Sequence, residues 1–456
     1  MGSSSSLSLW QDTLGDVPAS RVPLSPADLR EHYDVVIMGA GYTGLWTAVA
    51  LTEKHPDLKL LVLDKERVGF GASGRNGGWV SSLFPTSPSG LIQRHGLDQA
   101  RAMRVAMVEA VDSLGAWAKD LGIQCDFVQG GTTTLARNQI QLHRAQEDLA
   151  EAQVLGVDKL SWRAPEETLA ASAVAGAVFN PACARIHPGK LVQGLAEVLD
   201  DAGVRIAEAT AVISYSPGRV VTQRGEVTCD VAIDAMEGYR SQLRQHRRDT
   251  LPLYSLMIAT NPLPDSVCDD IGLNHGETFA DYRSLVIYGQ RTADNRIAFG
   301  GRGAPYHLGS RIKNSYDLVP RVFRALEHTL KDFFPQLADA TISHRWGGVL
   351  GVPRDWHASV TFDSATGLAR AGGYVGDGVG LSHLAGLTLA DVITDTPSAR
   401  TTLPMVNHVS PRWEPEPLRY LGATAAITGV RLADYVESRT GKPSIISRLI
   451  APLTGH

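Results

Sequence analysis

The chain has 456 residues, 43% hydrophobic and 20% charged, which suits a folded protein of two or three lobes and excludes a disordered one. Lys+Arg 43 against Asp+Glu 48 gives a net charge of −5, so no basic excess exists to hold a polyphosphate and no nucleic-acid partner is expected. No apolar run reaches the ~18 residues of a membrane helix, and Met1 to Ser6 carries neither the basic nor the apolar region of a secretory signal. Four cysteines (Cys125, Cys183, Cys229, Cys268) stand far apart without a Cys-x-x-Cys pair. They support neither a disulfide framework nor a zinc ribbon, and a reducing, cytoplasmic setting is expected. Glycine is in excess, 45 residues, and its distribution carries the argument.

Residues 1–29 lack a sustained period and read as a surface arm pinned by Trp10 and Leu14. Tyr33 to Met38 is a short apolar run ending in glycine, the mark of a buried parallel strand. Thr43 to Lys54 reads as a helix and Leu58 to Leu63 as the next strand, completing a right-handed βαβ unit. Residues 98–121 form an amphipathic helix, with Met103, Met107, Ala110, Leu114, Trp117 and Leu121 on one face. Gly130 to Leu135 is a threonine-rich strand. His187 to Asp201 is helical, Pro188 fitting its first turn, and short strands follow at Val204–Ile206, Ala211–Ile213, Val220–Thr222 and Val227–Ile233. Leu253–Thr260, Ser284–Tyr288 and Arg296–Phe299, with a polar turn at Asp294-Asn295, predict an antiparallel sheet. Arg321–Phe334 and Leu381–Ile393 are helices, the second preceded by the strand Leu368–Ala371 and a glycine cluster. Residues 401–456 read as a surface segment.

Gly39-Ala40-Gly41-Tyr42-Thr43-Gly44 is a Gly-x-Gly-x-x-Gly between a predicted strand and a predicted helix, the context that gives the motif meaning. Gly39 permits the tight turn, Gly41 lets the backbone approach a pyrophosphate, and Gly44 allows close helix–strand packing. The pyrophosphate sits at the helix N-terminus, where Tyr42 and Thr43 lie and the dipole favours negative charge. Asp64, 20 positions after Gly44, ends the second strand and is placed to bind a ribose hydroxyl, with Lys65 beside it. These residues predict a dinucleotide containing adenosine diphosphate and do not choose between NAD and FAD. A second glycine-dense loop follows: Gly69-Phe70-Gly71-Ala72-Ser73-Gly74-Arg75-Asn76-Gly77-Gly78-Trp79. It can lay many backbone N–H groups against a flat or phosphorylated ligand, which favours the longer cofactor, FAD.

With these motifs the chain resembles the glycine/D-amino acid oxidase superfamily of FAD-dependent oxidoreductases, and most closely its γ-glutamylputrescine oxidase-type branch. The resemblance rests on Gly39–Trp46, Val68–Trp79 and Gly372–Leu389, with weaker support from His187–Leu191, Phe299-Gly300-Gly301-Arg302 and Trp346-Gly347-Gly348. It runs from about residue 30 to 395. It implies an α/β plus α+β fold: a discontinuous Rossmann-like FAD domain (30–97, 165–245, 346–400) and an antiparallel-sheet substrate domain (98–164, 246–345). The backbone at Val212 would meet the adenine. The loop Ser73–Gly78 would meet the pyrophosphate and flavin. Gly373, Tyr374, Gly376, Asp377, Gly378 and Val379 would approach the pyrimidine side of the flavin, whose charge on reduction suits backbone donors and a helix N-terminus.

The implied reaction passes hydride from the α-carbon of a small-molecule amine to flavin N5. Hydrolysis of the imine follows, and oxygen is reduced to hydrogen peroxide. A buried, uncharged pocket lowers the amine's pKa, so no dedicated acid–base pair is required. Candidate pocket residues are Tyr254, Tyr288, Gln290 and Trp346; Arg283 and His383 read as a surface ion pair and a packed residue. Four departures bear on the substrate. Gly380 stands where sarcosine-type relatives carry a lysine, and no cysteine lies near the flavin loop, so FAD is expected to be noncovalent. Tyr288-Gly289-Gln290 replaces Tyr-Tyr-Arg, and Asp234-Ala235-Met236-Glu237 replaces Ala-Thr-Asn-Ala. A dehydrogenase passing electrons to a quinone or carrier, and a protein that holds FAD without catalysis, are the alternative readings. The histidines show no metal spacing, and no metal is expected.

Overall fold

The computed structural model describes residues 8–15, 20–301 and 305–444; Arg302 lies outside the described residues. His32–Met38 is the centre of the first sheet. It pairs in parallel with Leu60–Leu63 on one side and with Gly225–Asp234 on the other. Arg205–Ala207 extends one edge, Leu368–Gly372 and antiparallel Ser359–Asp363 the other. Val212–Ser216 and Arg219–Thr222 add an antiparallel meander. Alternation along the central strand divides it between two cores: Val35 and Ile37 face one, Val36 and Met38 the other. Helices Tyr42–Lys54, Pro188–Asp201 and Gly378–Ile393 share the first core.

The second sheet runs in the order Ile342–Val352, Leu251–Thr260, Ile297–Gly301, Ile287–Arg291, Thr278–Asp281, Thr132–Ala136, Gly176–Asn180, Ser161–Arg163. It is antiparallel except where Thr132–Ala136 meets Thr278–Asp281. Helix Pro320–Phe333 covers it with Val322, Phe323, Leu326, Leu330 and Phe333, one face at three- and four-residue spacing.

Pairing shifts several expected boundaries. The Asp294-Asn295 turn is present, Asn295 taking φ 61°, but its first strand is Ile287–Arg291 rather than Ser284–Tyr288. Gly176–Asn180 bonds to Thr132–Ala136, and Ile342–Val352 bonds along Leu251–Thr260, so both belong to the second sheet. The segments expected from 165 and 346 therefore join the first sheet only after those strands end. Leu97–Asp120 was expected with the substrate domain, yet Met103, Met107, Val111 and Leu114 pack into the first core. Two further helices are Gln139–Leu155, between an Asn138 cap and a left-handed Gly156, and Leu418–Thr440 in the segment read as surface chain. Trp10 is buried as expected, edge-on to Trp346 at 6.2 Å.

Candidate active site

One long cleft opens where the first sheet's carboxyl ends meet the edge of the second. Its inner wall is the Gly39–Thr43 turn and its outer wall is Gly69–Ser73 with Asn76. The backbone here is as close as backbone can be. A Cβ at Gly39, which has φ +117°, would stand 2.7 Å from the Ala235 carbonyl oxygen, and one at Gly41 would stand 2.8 Å from Ser73 Oγ. Ser73 Oγ accepts from Tyr42 N–H at 2.9 Å, joining the two glycine segments. Gly41 is the N-cap of helix Tyr42–Lys54, so the positive end of the helix faces the cleft. Gly378 and Val379, the first turn of helix Gly378–Ile393, line the same cleft. A Cβ at Gly386 would stand 2.8 Å from Trp46 Cβ, so these two helices cross at backbone distance.

Asp64 Oδ2 accepts from Ala40 N–H and Oδ1 from Glu66 N–H, both at 2.8 Å. Burial raises its pKa to about 6. Each oxygen keeps a lone pair, which suits a ribose hydroxyl. Lys65 and, further along, Thr210, Ala211 and Val212 continue this end of the cleft. The glycine cradle, the two helix N-termini and the carboxylate at the end of the second strand fit an adenine dinucleotide.

Of the expected cofactor residues, Gly39, Gly41, Tyr42, Thr43, Asp64, Lys65, Gly71, Ala72, Ser73, Asn76, Val212, Tyr374, Gly376, Gly378 and Val379 line the cleft. Seven others lie off its surface and shape the backbone behind it. Cβ atoms at Gly44 and Gly74 would fall 2.0 Å from the Gly39 oxygen and 2.2 Å from the Gly69 oxygen. Arg75 turns to Asp317 at 2.7 Å and stacks over the Phe70 ring; burial still raises Asp317 to about 6. Gly77 meets the Tyr288 ring, Gly78 the Gln290 amide, and Gly373 meets Pro353 and the His357 carbonyl. Asp377 is the N-cap of helix Gly378–Ile393 and accepts from Ser81 Oγ at 3.4 Å.

None of the four expected pocket side chains is among the cleft's lining residues. Gln290 is fully buried and donates through Nε2 to the Gly77 carbonyl at 2.6 Å. Trp346 Nε1 donates to the Arg75 carbonyl at 2.8 Å. Tyr288 OH is 2.9 Å from Ser255 Oγ, its ring edge-on to Trp79. Tyr254 OH meets the backbone of Lys313. Three of the four thus back the glycine loop, because positions 288 and 290 share the strand face that meets Gly77 and Gly78. Arg283 pairs with Asp281, and His383 is buried against Ser113 Oγ at 2.9 Å.

The side chains that do wall the far end are Phe70, Tyr239, Gln242, Ile312, Asn314 and Leu350. Phe70 belongs to the glycine-dense loop, where only the glycines draw notice; the others come from the short helices Glu237–Gln242 and Asn314–Asp317, the chain before the second and strand Ile342–Val352, none of which carries a motif. Glu237 was noticed only as a departure. Its Oε1 accepts from Gly373 and Tyr374 N–H at 3.2 and 3.1 Å, and its Oε2 is buried without a partner. Burial raises its pKa to about 7. Glu237 has φ 47° and Val375 has φ 54°, a costly conformation for side chains of this kind. Strain therefore gathers where the carboxylate meets the carboxyl-terminal glycine loop.

This fold and cleft define a flavin enzyme. The chain belongs to the DAO family of FAD dependent oxidoreductases, whose model matches residues 34–392. It is an FAD-dependent oxidoreductase. Among named relatives it is 30% identical over 392 residues to "Probable oxidoreductase OrdL" of Haemophilus influenzae, covering 81% of this chain and 84% of that one. It is 29% identical over 375 residues to gamma-glutamylputrescine oxidoreductase of Escherichia coli, covering 79% and 83%. In fold it is similar to glycine oxidase from Geobacillus kaustophilus, with TM-score 0.69, 19% identity, and coverage of 83% of this chain and 100% of that chain. No helix among the described residues is long and apolar enough to cross a membrane.

Proposed function

We propose that the protein oxidises the carbon–nitrogen bond of an amine to an imine, which water hydrolyses to a carbonyl compound and ammonia or a smaller amine. FAD, which the Gly39–Thr43 turn, Asp64 and the Gly69–Ser73 loop would hold noncovalently, would supply the acceptor for the two electrons and the α-carbon hydride, with oxygen as the final oxidant and hydrogen peroxide as its product. The first sheet and its helices hold the cofactor; the second sheet covers the substrate. The single observation that carries this reading is the far end of the cleft. Phe70, Tyr239, Gln242, Ile312, Asn314 and Leu350 are apolar or uncharged, and burial shifts a carboxylate in the same lining, Glu237, toward its neutral form. Such walls disfavour an ammonium and so hold the amine in its reactive, unprotonated form, while Gln242 and Asn314 can orient it by hydrogen bonds.

The walls favour an extended amine over an N-methyl amino acid. Gly380 stands at the position where a carboxylate-binding lysine is expected in sarcosine-type relatives. A Cβ there would lie 2.9 Å from the Ser81 carbonyl, so the helix seats against strand Trp79–Ser81 without room for a longer side chain. The likeness to a gamma-glutamylputrescine oxidoreductase points the same way. All four cysteines are buried free thiols outside the cleft lining, in keeping with a noncovalent cofactor and a reducing compartment. The test is anaerobic bleaching of the flavin by primary, secondary and polyamines, D- and L-amino acids and aminophosphonates. Bleaching by an amine, reversed by air with release of peroxide, is the expected result. Bleaching that air does not reverse makes the protein a dehydrogenase, and no bleaching with any compound ends the amine reading.

A further inference from the structure

Three histidines far apart in the chain meet outside the cleft. His95 ends helix Pro88–His95. His357 lies just before strand Ser359–Asp363. His408 follows Asn407, whose N–H donates to the Val360 carbonyl on that strand at 2.8 Å. One ring nitrogen from each lies within 4.8 Å of the other two. His357 and His408 stack at 3.9 Å between centroids, and His95 stands 5.4 Å from His357.

Hydrogen bonds fix which nitrogen His357 and His408 can offer. His357 Nδ1 is 2.7 Å from the Ala358 carbonyl, which can only accept, so Nδ1 carries the proton and Nε2 keeps its lone pair. That Nε2 is buried without a partner, and so is His95 Nε2. His408 Nε2 is 2.7 Å from the Asp355 carboxylate, which leaves Nδ1. A backbone carbonyl behind one imidazole and a carboxylate behind another are the outer contacts that orient metal-bound histidines. Burial holds His95 and His357 below their ordinary pKa, in the neutral form that can act as a ligand. Two buried ring nitrogens without partners, one of them the His357 lone pair, are costly unless something fills the gap between them.

We propose that His95, His357 and His408 form a three-histidine site for a divalent transition-metal ion, with Zn2+ the best match and water in the fourth position. Imidazole donors suit such ions rather than calcium or magnesium. Zn–N bonds of about 2.0–2.1 Å require the nitrogens to close by roughly an ångström and the stacked His357 and His408 rings to turn until their in-plane lone pairs converge. None of the three histidines lines the cleft. The ion would staple helix Pro88–His95, the loop at His357 and the chain at His408 together. The His357 carbonyl lies 3.2 Å from where a Cβ at Gly373 would stand, so the staple backs the carboxyl-terminal glycine loop.

The test uses the full-length, tag-free flavoprotein, stripped with a chelator and dialysed. Zn2+ is titrated by calorimetry and Co2+ by its visible ligand-field bands. The expected result is one ion per chain and a Zn2+-dependent rise in the thermal midpoint. His95→Gln and His408→Gln, both at partly exposed positions, should each weaken Zn2+ binding at least ~100-fold, and Asp355→Asn about 10–100-fold. Retained flavin absorbance and far-UV circular dichroism report whether each variant is folded. Absence of saturable one-to-one binding to the wild-type chain overturns the proposal. So does unchanged binding in both folded histidine variants.

Discussion

The two glycine-rich segments of the cleft are held in place by different chemistry. Residues 75–77 are clamped from behind by neutral donors: Trp346 Nε1 to the Arg75 carbonyl at 2.8 Å, Trp10 Nε1 to Asn76 at 2.7 Å and Gln290 Nε2 to Gly77 at 2.6 Å. Residues 373–374 are held by a carboxylate, Glu237, that accepts from two consecutive N–H groups. Indole and amide donors do not titrate, so these three clamps are independent of pH, while the Arg75–Asp317 pair beside them titrates near 6. The second depends on a buried acid whose pKa lies near 7, so its anchor changes charge within the working range. The loop expected at the phosphates is held by backbone clamps that do not titrate, and the loop expected at the flavin's pyrimidine side is held by one that does.

The largest effect should come from breaking the clamp at its tightest point. Gly78 has φ +71°, and a Cβ there would stand 2.0 Å from Gln290 Nε2 and 2.5 Å from the Ile186 carbonyl. Gly78→Ala must expel the Gln290 amide from its seat. Purified Gly78→Ala should retain little flavin, read as the ratio of absorbance at the flavin band to that of protein. Full flavin retention would show that the clamp is dispensable. Trp346→Phe keeps the ring packing and leaves the Arg75 carbonyl unpaired, which should cost about 1–3 kcal/mol by denaturant unfolding. The loss should be the same at pH 5.5 and pH 8, since no titrating group is involved.

The carboxylate side should behave differently. Glu237 is raised from an ordinary 4.5 to about 7 by burial, with Arg370 and Asp234 the charges that face it. The folded state therefore binds more protons than the unfolded chain between these values. Its contribution is fully present below about 4.5 and is lost as pH rises through about 7. Asp64 and Asp317, each raised to about 6, slope the same way, so the difference between variants is the measurement. Glu237→Gln keeps an oxygen for Gly373 and Tyr374 and removes the proton equilibrium. Its stability should fall less steeply than wild type from pH 5 to pH 8. Identical slopes would exclude a titrating Glu237.

The same contrast explains what the sequence made legible. The cofactor cradle is local: glycine spacing, strand–helix context and the position of Asp64 can all be read along the chain. The clamps are not local. Gln290 draws notice in the sequence as a departure from Tyr-Tyr-Arg, and Trp346 because it precedes a glycine pair where the chain is expected to return to the flavin domain. Which face of a strand meets which loop is fixed only when the two sheets pack. Tyr239 and Gln242, on the short helix Glu237–Gln242, and Asn314, at the start of another, carry no spacing signal because the two meet only in the fold. Glu237 left a trace, a charged residue where a small one is usual, without any sign that it would reach Gly373. The histidines at 95, 357 and 408 show why spacing rules miss a cluster assembled from three distant segments.

The smallest expected effect tests whether the two segments are coupled. Thr43 Oγ1, in the first turn of the fingerprint helix, is 3.0 Å from Tyr374 OH in the second loop, and both side chains are buried. Thr43→Val is nearly isosteric and removes the bond, at a cost of about 1 kcal/mol. A structural bond alone predicts that loss at every pH. Coupling predicts more: with Tyr374 released, the backbone N–H groups at 373 and 374 are less firmly presented to Glu237. The carboxylate then loses part of what favours its charged form, and its pKa rises. A double-mutant cycle of Thr43→Val with Glu237→Gln, run at pH 6 and pH 8, separates the cases. An interaction energy that grows with pH means that the rigid segment reaches the responsive one through this bond, and additivity at both pH values means that the two are held independently.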